Sequence, residues 1–232
     1  PLFDRGGRSP KLLPRAVALA RDLTMAFDGI DAACRRARPA SSEGTLVVAA
    51  IPSVAICWLI PRLPDFTATH PDIDLRILAT DRLSSFQTDA VDIAVRYGRP
   101  PFGAGLNTEL LFEQVIVAVA SPLLLEKLGP PDEDDNLTRY ALLHDAHNFW
   151  PQFLERAYPG GVTASAKNIR FNQTSLAVDA AVAGQGLALA SLFFVQDDID
   201  AGRLARPFAT ELRVGSDFYL VSPRKPRHPE PT

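Results

Sequence analysis

From Leu13 the apolar residues fall at Leu13, Ala16, Ala20, Leu23, Phe27, Ile30, Cys34 and Ala37, in steps that alternate between three and four. A seam sustained over more than three heptads predicts an amphipathic helix with a narrow apolar stripe. Arg15, Asp22, Asp28, Arg35 and Arg36 flank the stripe, an arrangement suited to a two-chain coiled coil. Residues 12–38 are therefore expected to form a linker and dimerisation helix. A helix of about 25 residues is roughly 37 Å long, and Gly29 weakens it locally by about 1 kcal/mol.

The segment "RPASSEG" (38–44) ends this pattern with Pro, Ser and Gly and reads as a hinge. Beyond it, apolar runs short enough for strands alternate with helical patterns. "TLVVAAI" (45–51), "DIDLRILAT" (72–80), "VDIAVRYG" (91–98), "EQVIVAVAS" (113–121), "LALAS" (187–191) and "DFYLVSP" (217–223) read as strands. "YALLHDA" (140–146) and "KNIRFN" (167–172) are weaker ones. A helix starts at Ser53 with Leu59, Leu63 and Phe66 as a core stripe, and Pro61 and Pro64 are expected to interrupt or kink it. "SPLLLEKLG" (121–129) has Ser121 at the cap and Pro122 at the first helical position. "TSLAVDAAVAGQG" (174–186) is capped by Thr174 or Ser175 and ended by Gly184 or Gly186. Such alternation predicts an α/β fold with mainly parallel sheets.

Composition narrows the class. The 232 residues are 47% apolar and 22% charged, as in ordinary globular proteins. No apolar run approaches the roughly 20 residues that cross a bilayer, and no signal peptide opens the chain, so no membrane partner is expected. Cys34 and Cys57 form neither a zinc spacing nor a disulfide framework, which points to the reducing cytoplasm. The chain opens on "PLFDRGGRSP" without Met and reads as a fragment whose upstream part is missing. Residues 1–38 hold eight Lys/Arg and four Asp/Glu, leaving 16 bases and 23 acids to the rest. Charge alone reads first as a solvated basic helix, and second as a nucleic-acid-binding end on an acidic body.

Chemistry is sparse. There is no G-x-S-x-G elbow and no P-loop, and "GQG" follows a helix rather than opening one. "HDAH" offers His144 and His147 at a metal-like spacing without a third ligand nearby, and "PPDEDDN" (130–136) reads as a solvated acidic loop, so no metal site is assigned. Cys57 sits in an apolar helix and reads as core. Helix starts at Ser53 and at Thr174–Ser175 would both follow strands, where ligands collect in open α/β sheets. Arg96 and Tyr97 end a strand on the same edge, and the guanidinium could pair a carboxylate bidentately. Each hydroxyl alone could be a mere cap. Together they suggest a small anionic ligand in a cleft.

Several blocks resemble LysR-type transcriptional regulators, in the subgroup of glycine-cleavage activators and β-lactamase regulators. They are "LFDR" (2–5), "WLIPRLPDFTATHPDIDLRI" (58–77), "VDIAVRYG" (91–98), "ASPLLL" (120–125), "AVAGQGLALAS" (181–191) and "YLVSP" (219–223). Three features depart from the family pattern: "SPKLLPRA" replaces L-T-x-A-G after the wing, Ser85 replaces an aspartate, and the closing F-x-x-W-L helix is missing. The resemblance implies a long linker helix followed by two Rossmann-like subdomains of periplasmic-binding-protein type. Residues 1–11 would be a remnant of a winged helix-turn-helix, with Arg5 and Arg8 near DNA. Residues 45–115 and 216–225 would form one effector subdomain, and 116–215 the other. Carried over by position, the effector would meet Ser53, Val54, Asp81, Arg82, Arg96, Tyr97, Ala120, Ser121, Thr174, Ser175 and Tyr219. The implied function is regulation of transcription by a small-molecule effector, through a homodimer or homotetramer, with no catalysis and no cofactor. The rival readings are the solute-binding protein of a transport system and an enzyme on the same fold.

Overall fold

The computed structural model describes residues 3–4, 11–37, 45–131, 134–163 and 167–225. Two short strands, β1 (Phe3–Asp4) and β2 (Lys11–Leu12), pair antiparallel ahead of a 24-residue helix, α1 (Pro14–Ala37). Of the α1 seam, Leu23 and Phe27 are exposed, while Ala16 is buried. The expected hinge at 38–44 lies outside the described residues, as do Arg5 and Arg8.

The remainder builds two sheets. Five strands form the first, in the order β4 (Asp74–Ala79), β3 (Thr45–Ala50), β5 (Ile93–Gly98), β11 (Asp217–Pro223) and β6 (Leu106–Phe112). Four form the second, in the order β7 (Ile116–Val119), β10 (Leu187–Ser191), β8 (Leu142–His144) and β9 (Asn168–Arg170). Strand β3 runs parallel to β4 and β5, and β8 runs parallel to β9 and β10. The expected mainly parallel order is diluted where the chain changes sheets. Strand β7, the first of the second sheet, is antiparallel to β10; β11, which returns to the first sheet, is antiparallel to β5 and β6. Strands β7 and β10 are buried at every position, and both read as unbroken apolar runs because helices or loops cover each face.

The segment after β3 is helical from α2 (Pro52–Val54) through a π-helical turn (Ala55–Leu59) to α3 (Ile60–Thr69). The prolines therefore do not end it. Pro61 lacks an N–H and crowds the carbonyl four residues back; the widened turn just before it bonds the Ile60 N–H to the Ala55 carbonyl instead. The expected core stripe is shallower than predicted, since no residue of α3 is buried and Leu63 and Phe66 are only half-buried. Three further elements fall outside the predicted ones: the edge strand β6, α5 (Trp150–Ala157) and α7 (Leu192–Asp200). Helix α4 (Pro122–Leu128) starts after Ser121 as expected, whereas α6 (Thr174–Val182) starts one residue early, with Gln173 at the N-cap; neither has a side-chain cap bond. The acidic segment contains a 3₁₀ turn, Asp134–Arg139, whose Leu137 is fully buried.

The largest core cluster spans both sheets, joining Val54 and Ala55, Ala177 and Ala181 of α6, Phe194 and Val195 of α7, and Phe218 of β11. A second cluster belongs to the four-stranded sheet and is built on Tyr140, Trp150, Phe153 and Phe208, with Trp150 Nε1 donating to the Leu143 carbonyl at 2.9 Å. The turn into β10 packs backbone on backbone: a Cβ at Gly186 would lie 2.2 Å from the Ala141 oxygen, which itself accepts the Leu187 N–H at 2.9 Å. The Gly186→Ala variant should therefore lose about 3 kcal/mol of stability, read as a lower urea midpoint with an unchanged slope.

Candidate functional site

The carboxyl ends of the parallel strands from both sheets open on one cleft of about 550 Å³. This is the size of pocket that holds small molecules, at the edge where open α/β sheets place them. Ser53 follows β3, Asp81 and Arg82 follow β4, and Arg96 and Tyr97 end β5. Opposite them, Asp145 and His147 follow β8, Gln173 and Thr174 follow β9, and Ser191 ends β10.

Hydrogen bonds join the walls, one of them from the Ser191 hydroxyl to the Gln114 side-chain carbonyl. The Ser175 N–H donates to Ser53 Oγ at 3.1 Å, and Gln173 Nε2 donates to Asp81 Oδ2 at 2.6 Å. Tyr97 also meets the His147 ring edge to face, with centroids 5.8 Å apart.

Six of the predicted residues line the cleft: Ser53, Asp81, Arg82, Arg96, Tyr97 and Thr174. Their roles differ from expectation in two places. Arg96 donates to the carbonyls of Ser84 (2.9 Å) and Phe102 (3.4 Å) and stacks over Phe86, so its guanidinium clasps the loops after β4 and β5 rather than standing ready for a carboxylate. Thr174 is not a cap: the N-cap position belongs to Gln173, and the Thr174 hydroxyl donates to Asp145 Oδ2 at 2.6 Å.

Five predicted residues do not line the cleft. Val54 is wholly buried in the shared core. Ala120 and Ser121 lie at the far end of the second sheet because β7 runs antiparallel to β10: the register pairs Ser191, at the cleft, with Ile116, the first residue of β7. Ala120 is tied there to Ala205 by two backbone bonds of 3.1 and 2.9 Å. Tyr219 is one residue out of phase, since alternate strand residues face opposite ways. Phe218 lines the cleft beside Tyr97, whereas Tyr219 packs on Phe102 with centroids 5.4 Å apart. Ser175 is buried behind the wall; its backbone reaches Ser53, while its Oγ has no hydrogen-bond partner among the described residues.

The residues that sequence reasoning missed cluster at Asp145. Its Oδ1 accepts the His147 N–H (2.9 Å), and its Oδ2 accepts from His147 Nδ1 (3.1 Å) as well as from Thr174. Burial pushes the Asp145 carboxyl up, but the bonds from His147 and Thr174 outweigh it and hold it below the usual carboxylate range. The hydrogen bond to Asp145 raises the His147 imidazole, against its partial burial. The only sequence signal was "HDAH", and its two histidines diverge. His144 is buried, with Nδ1 3.2 Å from Asn148 Oδ1 and Nε2 2.6 Å from Asn168 Oδ1, whereas His147 turns to the cleft. Among the described residues no group of His, Cys, Asp and Glu is placed to hold a metal ion. Burial, followed by Asp179 and Asp198, pushes the Cys57 thiol up to about 12, which makes it a poor nucleophile.

Residues 39–232 match the LysR substrate binding domain. The chain belongs to the LysR family. Along 95% of its length, this LysR-family chain is 36% identical to the glycine cleavage system transcriptional activator of Escherichia coli K12, covering 72% of that protein. It is 30% identical to the transcriptional activator AmpR of Citrobacter koseri, over 92% of this chain and 73% of that one. The effector domain of Pseudomonas aeruginosa AmpR superposes with a TM-score of 0.60 at 28% identity, over 78% of this chain and 86% of that one. The Neisseria meningitidis regulator CrgA shares the fold at a TM-score of 0.62 and 20% identity, over 96% and 76% of the two chains. The LysR-family chain is thus a transcriptional regulator with an effector-binding domain of periplasmic-binding-protein type, and the relatives it matches are regulators rather than enzymes. No helix among its described residues is long and apolar enough to cross a membrane.

The Asp145–His147 pair has a pH signature. A raised histidine contributes stability that is complete below its ordinary value, about 6.5, and is lost as pH rises through the folded value. A depressed carboxylate contributes above about 3.9 and fades as pH falls through its own folded value. Asp145→Asn should therefore cost most between about pH 4 and 6.5, on the order of 2 kcal/mol. The cost should shrink towards pH 9, as checked by urea unfolding of both forms across that range.

Proposed function

We propose that this chain is the linker helix and effector domain of a cytoplasmic DNA-binding regulator that senses a small anionic metabolite in the cleft. On this reading residues 1–11 end a winged helix-turn-helix, with Arg5 and Arg8 near DNA, and 12–38 are the linker. The effector subdomains are 45–115 with 216–225, and 116–215. The observation that carries the reading is the convergence of strand ends from both sheets on one cleft whose walls are bridged directly, Ser53 to Ser175 and Asp81 to Gln173. A ligand between these walls has different contacts in open and closed arrangements, and so biases their equilibrium. The linker helices would pass that bias to the DNA-binding domains. The apolar seam of α1 supports pairing, because its Leu23 and Phe27, one turn apart on the same face, are exposed on the single chain, where a second helix would cover them.

Two outcomes follow. In the full-length regulator, the Ser53→Ala, Thr174→Ala double variant should weaken the effector's apparent affinity by roughly tenfold, about 1.4 kcal/mol, and leave promoter affinity nearly intact. A wild-type response in a reporter assay overturns the cleft assignment. Leu23→Asp with Phe27→Asp should convert the oligomer to monomer in light scattering; an unchanged mass removes α1 from the interface.

A further inference from the structure

Hydrogen-bond acceptors and donors on the cleft walls are unequally engaged. Asp145 already accepts three hydrogen bonds, Asp81 accepts one from Gln173, and the Gln114 carbonyl accepts the Ser191 hydroxyl. Several donors have no partner among the described residues. The Gln114 amide NH₂ is one, although Gln114 is only 7% exposed. The Ser53 hydroxyl hydrogen is another, its oxygen being the acceptor of the Ser175 N–H. A wall of this kind suits a ligand rich in acceptors.

His147 supplies the charge. Its ring is held on three sides: Nδ1 faces Asp145, the Phe149 ring stacks at 5.4 Å and 13°, and Tyr97 of the opposite wall abuts it edge to face. Nε2 has no partner among the described residues, and the side chain is 41% exposed where it lines the cleft. A ring whose Nδ1–H donates to a carboxylate carries a hydrogen on Nε2 only when it is protonated. We propose, building on the effector reading above, that His147 recognises the ligand's charge: as an imidazolium braced by Asp145, it presents Nε2–H to an oxyanion, a carboxylate or a phosphate.

The groups facing this ring are consistent with the assignment. Asp145 adjoins it in the same loop, and Asp81 acts across the cleft; both favour the imidazolium, and both already hold protein donors. Arg82 lines the same cleft and adds positive charge, the Arg96 guanidinium is tied to Ser84 and Phe102, and Tyr97 is a neutral phenol kept protonated by burial. Helix α5 and its cap present only the Phe149 ring, and α6 presents Thr174. Binding is therefore linked to protonation. An anion should bind up to roughly tenfold tighter for each unit that pH falls through the folded value of His147.

The test uses the 232-residue chain, whose four histidines can be followed individually by NMR. Acetate and inorganic sulfate are the probes, because their charge is constant from pH 6 to 9; acetamide is the neutral match for acetate. Acetate or sulfate should raise the His147 pKa and bind more weakly as pH rises, while acetamide does neither. Response to acetate alone assigns a carboxylate ligand, and response to sulfate alone a phosphate-like one. The His147→Gln variant should bind the anion weakly and independently of pH, and its unfolding midpoint should approach that of the parent towards pH 9, where the pair no longer contributes stability. If the anions shift Ser53 and Gln114 but leave His147 untouched, or if acetamide matches acetate, the inference fails and the cleft remains the effector site. If no probe shifts any cleft residue, the inference fails as well, and the reporter assay above decides separately whether the cleft binds an effector.

Discussion

Two chain crossings, running side by side, hold the sheets together. One leads from β6 to β7 through Glu113–Val115, and the other brings the chain back into β11. They are paired to each other: Ile116 and Leu212 exchange two backbone bonds of 2.9 Å, and Asp217 accepts the Gln114 N–H at 2.8 Å. Arg213 and Glu113 pair at 2.7 Å on the outside of the same joint. Strand β11 then threads between β5 and β6, and its Phe218 packs on Tyr97 at 4.9 Å and on Phe193 at 4.9 Å. A paired two-strand joint with an aromatic lining flexes less readily than either crossing alone.

The electrostatics of the cleft follow from where the strands end. The start of α6 was expected to attract an external anion. Instead the protein's own Asp145 lies there, bonded to Thr174. The positive character of the cleft therefore moves from the helix terminus to the partner of that carboxylate, His147. Burial opposes the Asp145 carboxylate, but its hydrogen bonds from His147 and Thr174 and the neighbouring imidazole charge outweigh it, which is why Asp145 stays ionised.

The strands were legible because strands buried on both faces must be continuously apolar. "LALAS" and "IVAV" can hardly be anything else, and both are buried at every position. Strand β6 was not, because an edge strand keeps polar residues such as Asn107, Thr108 and Glu109 exposed. The prolines of α3 signalled an interruption but not its form: the α-helix gives way to a π-turn just before Pro61 while the segment stays helical. Ser53, Asp81, Arg96, Tyr97 and Thr174 were legible as cleft residues because each follows or ends a parallel strand. Ala120, Ser121 and Tyr219 were misplaced because strand direction and pleat phase are properties of pairing, which one strand's sequence does not carry.

By itself, then, the sequence determined which segments are strands and helices, through the periodicity of apolar burial, and which strand ends could bear ligand-facing hydroxyls. Its family blocks also determined that the chain is a regulator and not a catalyst. Tertiary structure alone decided which of those ends meet. It reversed β7, sent Arg96 to two loop carbonyls, and brought Thr174 of α6 onto the Asp145–His147 pair in the loop after β8 to make one bonded group. The reason is physical: burial pattern is local along the chain, whereas the partners of a polar side chain are set by which backbones the fold brings within 3 Å or so of it.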